Sequence, residues 1–213
     1  AKVGDLLMHG TESFAAIYLD DILIFTKGGV APHLRSVLEI LTRLRAAGLM
    51  LSIEKSFFGC LKVLYLGYQL QVGNFTIPDG KVELFRKARV PSTSRELKQI
   101  LGSFQYYSRF VKGFQILTSP LYNLLRKDSK FTFGPKEFEV FEQLKEALAS
   151  QPILHYIDMS KPFTMHTDSS DLAGGVILSQ EQNDHLMAPV CFWGKTFTGS
   201  QVRWGIFEKE LYI

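Results

Sequence analysis

The sequence lacks most features of secreted and membrane-bound proteins. It contains only two cysteines, Cys60 and Cys191, which lie far apart in the chain, so we expect neither a disulfide framework nor a zinc site. No apolar run approaches the roughly 20 residues that span a bilayer, and the first residues do not have the layout of a signal peptide. Internal repeats and low-complexity tracts are also missing. These absences predict an intracellular protein that is not secreted and has no membrane partner.

Charge is unevenly distributed along the chain. The 213 residues have a formal net charge of only +3, but residues 79–150 carry 13 lysines and arginines against 8 acidic residues, and residues 151–213 carry 4 against 7. Ten of the basic residues lie between Lys81 and Lys127, where the only acids are Glu83 and Glu96. Such a region suits a phosphate backbone, and a solvated helical face is the alternative.

Two adjacent aspartates, Asp20 and Asp21, separate two short apolar runs that are typical of strands meeting at a tight turn. Hairpin turns favour Asn-Gly or Asp-Gly because they need positive φ, so this pair is a poor choice for the turn alone. Adjacent carboxylates also repel each other and are costly to desolvate unless a cation neutralises them, as hard divalent ions such as Mg²⁺ do. A solvated surface turn that carries two acids is the alternative.

The rest of the pattern predicts a mixture of helices and strands. Pro32 stands at the start of a helix over residues 32–47, and Thr93 with Glu96 forms the capping box of a helix that continues to Phe110. The apolar residues Val3, Leu6 and Leu7 are typical of the end of an amphipathic helix, so the first residues look like a cut edge. We also predict strands at 49–51, 61–71, 162–168, 174–178 and 189–193, and helices at 119–126, between Pro135 and Pro152, and from Gln201 onwards. The fold class is therefore α+β.

The segment Tyr18-Leu19-Asp20-Asp21 resembles the Y-x-D-D signature of reverse transcriptases, in particular those of gypsy-type LTR retrotransposons, and further motifs of that family follow in order over essentially the whole chain. One departure is Ser56, where the family usually has a cysteine, and another is Phe133, where a tryptophan is common. The downstream matches are His33-Leu34, Val37-Leu38, Gly48-Leu49, Lys55, Tyr65-Leu66-Gly67-Tyr68, Leu101-Gly102, Tyr106-Tyr107, Arg109-Phe110, Pro120-Leu121, Thr167-Asp168-Ser169-Ser170, Gly175, Leu178, Gln180 and Glu208-Lys209-Glu210-Leu211.

This resemblance implies three domains. Residues 1–78 would be the C-terminal part of a palm, a β-sheet with packed helices. Residues 79–150 would be the helical and basic thumb or connection. Residues 151–213 would be the N-terminal part of a tethered RNase H-like mixed α/β domain. The activities implied are RNA-directed DNA polymerase, a nucleotidyltransferase, and RNase H endonuclease.

For the polymerase, the resemblance implies two Mg²⁺ ions about 4 Å apart, with Mn²⁺ as an alternative metal. Asp20 would be the principal ligand and Asp21 a supporting one. Tyr18, two residues back on the same strand face, would lie near the incoming nucleotide or the primer, and a role as a core aromatic is the alternative. Lys55 would neutralise or protonate the leaving pyrophosphate, or be simply exposed. The segment Leu66, Gly67 and Tyr68 resembles the primer grip.

For the nuclease, Asp168 at a strand end and Glu210 on a helix would hold Mg²⁺ around a scissile RNA phosphate. Glu208 and Glu210 lie two residues apart, roughly 200° around a helix, so they cannot both face Asp168. The family pattern selects Glu210. We expect Asp171 to be a turn or cap residue, and His155 and His166 to be sheet residues rather than ligands.

The implied partners are an RNA or DNA template-primer, an RNA–DNA hybrid, deoxynucleoside triphosphates and the rest of a Pol polyprotein. Lys98, Arg109 and Lys112 would contact the nucleic-acid backbone. The resemblance implies a cytoplasmic location, with a virus-like particle or the nucleus as alternatives. It also implies one metal-binding aspartate upstream of residue 1 and another beyond residue 213, so we expect these 213 residues alone to be inactive. A domesticated remnant that binds nucleic acid or protein is the alternative function, and an unrelated soluble α/β domain is a third interpretation.

Overall fold

A computed structural model describes residues 9–126, 129–150, 153–182 and 185–213. The chain divides into two compact units, Ala1–Leu66 and Gly67–Ile213. In the first unit, strands β1 (Ala15–Tyr18) and β2 (Asp21–Ile24) precede helix α1 (Val30–Ala46), a 3-10 turn (Ile53–Lys55) and strand β3 (Lys62–Tyr65). The expected helix end at Val3, Leu6 and Leu7 lies outside the described residues.

The first unit has a small core between the hairpin and α1. Strands β1 and β2 pair antiparallel, with Ala15 opposite Ile24 and Tyr18 opposite Asp21. Ala15 lies against Ile40 and Leu44 of α1, and the apolar side chains Phe14, Ile17, Ile22, Ile24 and Leu41 pack around them. Val37, Ile40 and Leu44 are the buried residues of α1 and lie at helical spacing, so this helix covers one side of the hairpin as predicted, whereas Leu34 and Leu38 are exposed.

Three sequence predictions for this region need correction. Helix α1 begins at Val30, two residues before Pro32. Residues 49–51 form no strand, and Met50 is 98% exposed, because an apolar tripeptide without alternation is a weak strand signal. The single strand predicted for residues 61–71 is interrupted at Leu66 and Gly67, whose φ values are 46° and 76°. Gly67 therefore lies in a turn between two strands, and glycine adopts the positive φ of this position without steric cost.

The second unit contains the rest of the elements. Strands β4 (Tyr68–Gln71) and β5 (Asn74–Thr76) are followed by helices α2 (Asp79–Arg86), α3 (Ser94–Tyr106), α4 (Phe114–Asn123) and α5 (Pro135–Ala149). Strand β6 (Leu154–His155) then leads to β7 (Thr164–Ser169), β8 (Ala173–Glu181), β9 (Met187–Thr196) and α6 (Ile206–Tyr212). Two further 3-10 turns, Ser108–Phe110 and Gly199–Arg203, lie among them. Strand β5 pairs antiparallel with both β4 and β6.

A continuous core joins helices α2–α5 to the strand at Leu154. Phe104, Phe141 and Leu144 are each 1% exposed or less, and Leu154, beyond the helices, is fully buried in the same cluster. Rings in this core meet mostly edge to face, for example Phe85 with Phe104 at 5.1 Å and 82°, the arrangement that aromatic quadrupoles favour. The helices of residues 79–150 are thus held together by a core that combines aromatic and aliphatic side chains.

The capping box predicted for α3 is present in part. Thr93 is the N-cap, and its hydroxyl accepts a hydrogen bond from the Glu96 amide at 3.2 Å, which satisfies one of the free amides of the first turn. The Glu96 carboxylate accepts from the Ser92 amide and hydroxyl instead of from Thr93. Helix α3 ends at Tyr106, and a 3-10 turn carries Phe110, where a continuous helix was predicted.

The C-terminal sheet is antiparallel with strand order β7-β8-β9. Its strands overlap the three predicted ones, and His166 lies in β7 while His155 lies in β6, as expected. Helix α6 contacts β7. Ile213 packs closely against β8: a Cβ at Gly174 would lie 2.7 Å from the Ile213 side chain, so a larger residue there would displace that side chain. Within the described residues, no helix is long and apolar enough to cross a bilayer.

Candidate polymerase and nuclease sites

The aspartate pair lies at the tip of the β1–β2 hairpin. Leu19 and Asp20 form the turn, and Asp21 is the first residue of β2, opposite Tyr18. Both carboxylates are exposed, and Tyr18 is 56% exposed, so its ring is not a core aromatic. The positive φ that the turn needs is supplied by Leu19 at 51°. A left-handed leucine costs on the order of 1–2 kcal/mol, so the surrounding hairpin holds this tip in a strained conformation.

Tyr65, the last residue of β3, interacts electrostatically with Asp21 of the hairpin. Burial raises the pKa of the Tyr65 phenol, and the negative charge of Asp21 raises it further. The Tyr65 phenol therefore lies within electrostatic range of the Asp21 carboxylate. Tyr65 belongs to the motif that resembles the primer grip, but no local pattern indicated that it would face Asp21. Lys55 lies at the end of the 3-10 turn of the same unit and is exposed.

The hairpin tip offers carboxylates as ligands for a hard metal ion. Across the part of the chain that the structure describes, no group of three or more His, Cys, Asp or Glu residues is arranged to hold a metal ion. Asp20 and Asp21 nevertheless present adjacent, solvent-accessible oxygen ligands, which suits Mg²⁺ or Mn²⁺ and does not suit a soft metal. The donor set therefore fits part of a divalent-cation site.

The turn at Gly67 lies against two tyrosines, Tyr106 at the end of α3 and Tyr107 directly after that helix. The hydroxyl of Tyr107 donates a hydrogen bond to the Gly67 carbonyl at 2.9 Å. The Tyr68 ring stacks on Tyr106 at 5.3 Å, and its hydroxyl donates to the Tyr106 carbonyl at 3.2 Å. Burial raises the pKa of Tyr68 to about 12, against the opposing effect of the Arg109 guanidinium. At neutral pH the Tyr68 hydroxyl is therefore a hydrogen-bond donor.

The three basic residues proposed to contact a nucleic-acid backbone are all exposed in the second unit. Lys98 lies on α3, Arg109 in the following 3-10 turn, and Lys112 just before α4. The Arg109 guanidinium also lies 5.8 Å from the Tyr68 ring centroid, within the range of a cation–π contact. Arg109 therefore has a structural contact in addition to any role toward a ligand.

The two nuclease candidates lie on elements that contact each other. Asp168 is exposed on β7, opposite Gly175 of β8. Glu210 is partly buried on α6, which packs beside β7. The Glu208 carboxylate accepts from the Gly205 amide at 2.8 Å and so caps the helix. Glu208 therefore has a local role in capping α6, and the assignment of Glu210 as the ligand stays a prediction.

Lys209 is a buried residue that the sequence did not point to. Its side chain is 3% exposed, and its ammonium donates to the Asp171 carbonyl at 3.2 Å. The Asp171 carboxylate, 3.6 Å away, is 98% exposed, and the residue lies in the bend between β7 and β8 as expected. A lysine is rarely this buried, so only the structure reveals that it anchors α6 to the bend.

Two family models match this chain. The model described as reverse transcriptase (RNA-dependent DNA polymerase) matches residues 2–70, and the model described as an RNase H-like domain found in reverse transcriptase matches residues 133–212. Among curated proteins, the Transposon Tf2-3 and Tf2-7 polyproteins of Schizosaccharomyces pombe are 32% and 31% identical over 209 residues. These alignments cover 98% of this chain and 16% of each polyprotein.

Solved structures show the same fold. The foamy viral protease-reverse transcriptase in complex with RNA/DNA hybrid has a TM-score of 0.85 at 23% identity, with 99% of this chain and 28% of that chain covered. The same protein in complex with dsDNA has a TM-score of 0.82 at 22% identity, with 97% and 43% covered. At this level of identity the likeness concerns the fold, and it confirms the predicted α+β architecture.

The fold and the two family matches define a reverse transcriptase segment followed by an RNase H-like segment. Both matched segments are of the kind found in reverse transcriptases, and the predicted resemblance to retrotransposon polyproteins of the gypsy type is confirmed. It spans about one sixth of the length of the curated relatives it matches.

Proposed function

We propose that this chain works within a longer Pol polyprotein as an RNA-directed DNA polymerase with RNase H activity. The observation that carries the proposal is the exposed pair Asp20 and Asp21 at a strained hairpin tip, within the segment that matches the reverse transcriptase family. The small share of the curated relatives that this chain covers supports a longer parent protein.

In this proposal the hairpin presents Asp20 as the principal Mg²⁺ ligand and Asp21 as a supporting one. When bound, the metal ions would activate the primer 3′-hydroxyl and carry the triphosphate of the incoming deoxynucleotide. Tyr18 is opposite Asp21 and half exposed, so its ring is available to contact a nucleotide or the primer. Lys55 is exposed and would approach the leaving pyrophosphate. The turn formed by Leu66, Gly67 and Tyr68 would hold the primer end.

The nuclease half would use Asp168 and Glu210 to hold Mg²⁺ at the RNA strand of a hybrid. Since Glu208 is engaged in capping α6, Glu210 is the carboxylate of that helix left for a ligand role. Relatives of this fold have been seen with dsDNA and with RNA/DNA hybrid, which supports a template-primer and a hybrid as substrates here.

The test is primer extension and hybrid cleavage with Mg²⁺, using these 213 residues and a protein extended to the full parent reading frame. We expect the extended protein to perform both reactions and the 213-residue chain to perform neither, because the resemblance implies one further metal-binding carboxylate for each site outside these residues. In the extended protein, Asp20→Asn should lower extension at least about 100-fold, since metal ions supply several kcal/mol of transition-state stabilisation. Glu210→Gln should lower only cleavage by a similar factor.

Glu208→Gln is the matched control, because glutamine retains the acceptor for the Gly205 amide and should leave cleavage unchanged. Magnesium-dependent extension by the 213-residue chain that vanishes in Asp20→Asn would show that the account of the missing ligand is wrong. An extended protein inactive in both assays would favour a domesticated remnant that binds nucleic acid or protein.

A further inference from the structure

We propose that Tyr107 is a positioning residue for polymerisation, and that it acts by holding the backbone of the Gly67 turn in one orientation. This inference rests on the proposed function, because the role of the turn toward the primer comes from its resemblance to a primer grip. The contacts that hold the turn are, in contrast, visible in the structure.

The first contact is the hydrogen bond from the Tyr107 hydroxyl to the Gly67 carbonyl, which joins residues 40 apart in the chain at 2.9 Å. Tyr107 is 4% exposed, and its ring packs edge-on against Phe85 at 5.4 Å within the core of the second unit. Because the ring is fixed by the core, the position of its hydroxyl is fixed as well. The bond therefore ties the turn to the buried core of this unit.

The second contact is steric. A Cβ built on Gly67 would lie 3.2 Å from Cε1 of Tyr106 and 3.4 Å from the Tyr107 hydroxyl. Tyr68, the next residue, is stacked on Tyr106 and bonded to its carbonyl. The two tyrosines thus confine the turn by close packing as well as by a hydrogen bond, and a Cβ at this position would require the Tyr106 ring to shift.

These contacts matter because the backbone of the turn has a conformation that strands do not adopt. Leu66 and Gly67 both have positive φ, and glycine allows many other conformations at little cost. The Tyr107 hydroxyl selects one of them, because its fixed position lets it donate to only one orientation of the Gly67 carbonyl. Loss of the hydroxyl would free the turn while leaving the buried ring in place, and a misplacement of about 1 Å near reacting groups lowers rates by up to about 100-fold.

The test compares Tyr107→Phe with Tyr122→Phe. The second variant removes a hydroxyl whose hydrogen bond, at 3.3 Å, goes to Gln105 of α3 and not to the turn. In the extended protein, we measure the extension rate at saturating nucleotide, the KM for nucleotide and hybrid cleavage in the same preparation. We expect Tyr107→Phe to lower the extension rate between about fivefold and 100-fold, with hybrid cleavage changed less than twofold. Tyr122→Phe should leave both reactions unchanged.

A second measurement needs no activity. In the 213-residue chain, amide hydrogen exchange at Gly67 and Tyr68 should be faster in Tyr107→Phe than in either the unsubstituted chain or Tyr122→Phe, because local opening becomes easier. If the unsubstituted extended protein extends primers but Tyr107→Phe does so at the same rate, the positioning role is wrong. Equal losses of extension and cleavage would also overturn it, because they indicate a general loss of folded protein. An inactive unsubstituted protein would instead refute the proposed function itself, and the positioning role with it.

Discussion

Tyr68 is the residue whose ionisation is most clearly changed by its surroundings. Its ring is enclosed by Phe75, Tyr106, Tyr107 and Phe110, and burial raises its pKa to about 12 from an ordinary value of 10.0. Arg109 opposes this shift without cancelling it. The protonated phenol is therefore the form that the folded protein favours.

The first prediction concerns alkaline stability. Since the folded pKa of Tyr68 lies above the unfolded value, its contribution to the free energy of unfolding is complete below about pH 10 and is lost as the pH rises toward 12. Tyr107 and Tyr156 shift in the same direction. We expect the free energy of unfolding of the second unit, measured in urea, to fall between pH 10 and 12. Tyr68→Phe should make that decline less steep.

Tyrosinate absorbance checks the same prediction directly. The difference between the titrations of the unsubstituted chain and of Tyr68→Phe should show an ionisation well above pH 10. A difference titration centred at pH 10 would mean that the phenol is not shielded from water in the folded state.

For individual residues, the sequence predicts which residues form the candidate sites, but it does not predict which distant residues contact each other. Asp20, Asp21 and Tyr18 could be placed at a hairpin tip because their motif is local. The bond from Tyr107 to Gly67 and the burial of Lys209 depend on contacts across about 40 residues, for which no local signal exists. Contacts between such distant residues are set by packing, which a single sequence does not reveal.

Three successive elements carry the basic residues Lys98, Arg109 and Lys112. They belong to α3, the 3-10 turn after it and the segment before α4, and all three are exposed. A surface distributed over several elements can follow a nucleic-acid backbone without reading its sequence.

The second prediction is that charge reversal of Lys98, Arg109 and Lys112 weakens template-primer binding and its salt dependence. The removal of one phosphate interaction should reduce the slope of log K against log salt by about 0.9 for duplex DNA. The measurement is a binding titration at several salt concentrations. Unchanged affinity and slope would place the binding surface elsewhere.

A matched control reverses three exposed lysines outside this region, Lys27, Lys62 and Lys136. It changes the net charge by the same amount, so it isolates the effect of position from that of overall charge. Far-UV circular dichroism of both variants shows whether they fold, which matters because Arg109 also contacts the Tyr68 ring.

Element boundaries were predicted well where capping or proline signals are strong. Helix α5 begins at Pro135 as expected, and α3 begins after the Thr93 cap. Helix α4 begins at Phe114, five residues before the predicted start, because buried Phe114 and Thr118 belong to its inner face. The strand predicted at 61–71 is in fact two strands separated by a turn. The turn is not evident in the sequence because Leu66 is apolar and Gly67 is the one residue there that is typical of turns.

The two units of the molecule differ greatly in the size of their cores. In the first unit, the buried cluster consists of Ala15, Ile40 and Leu44, while several large apolar side chains of the same unit are exposed, including Met50 and Leu61. The second unit has sixteen buried residues in one cluster. Isolated two-stranded hairpins are marginally stable, so the first unit depends on few contacts.

The third prediction is that the first unit unfolds before the second. Native-state hydrogen exchange should give a lower opening free energy for α1 than for α3 and α5. Ile40→Val should lower the opening free energy of α1 by about 1 kcal/mol without changing that of α5. Equal opening free energies in all three helices would show a single cooperative unit instead.

The predicted domain limits at residues 78 and 150 stay predictions, but the pairing of β5 with β6 bears on how such genes can be recombined. His155 lies opposite Asn74, and Leu154 belongs to the same core as the helices before it. A gene fusion that replaced everything after residue 150 would remove strand β6 from the edge of its sheet. It would also remove Leu154 from the core of the retained helices. A crossover placed after Tyr156 would keep both, so chimaeras joined there should fold where those joined at 150 fail.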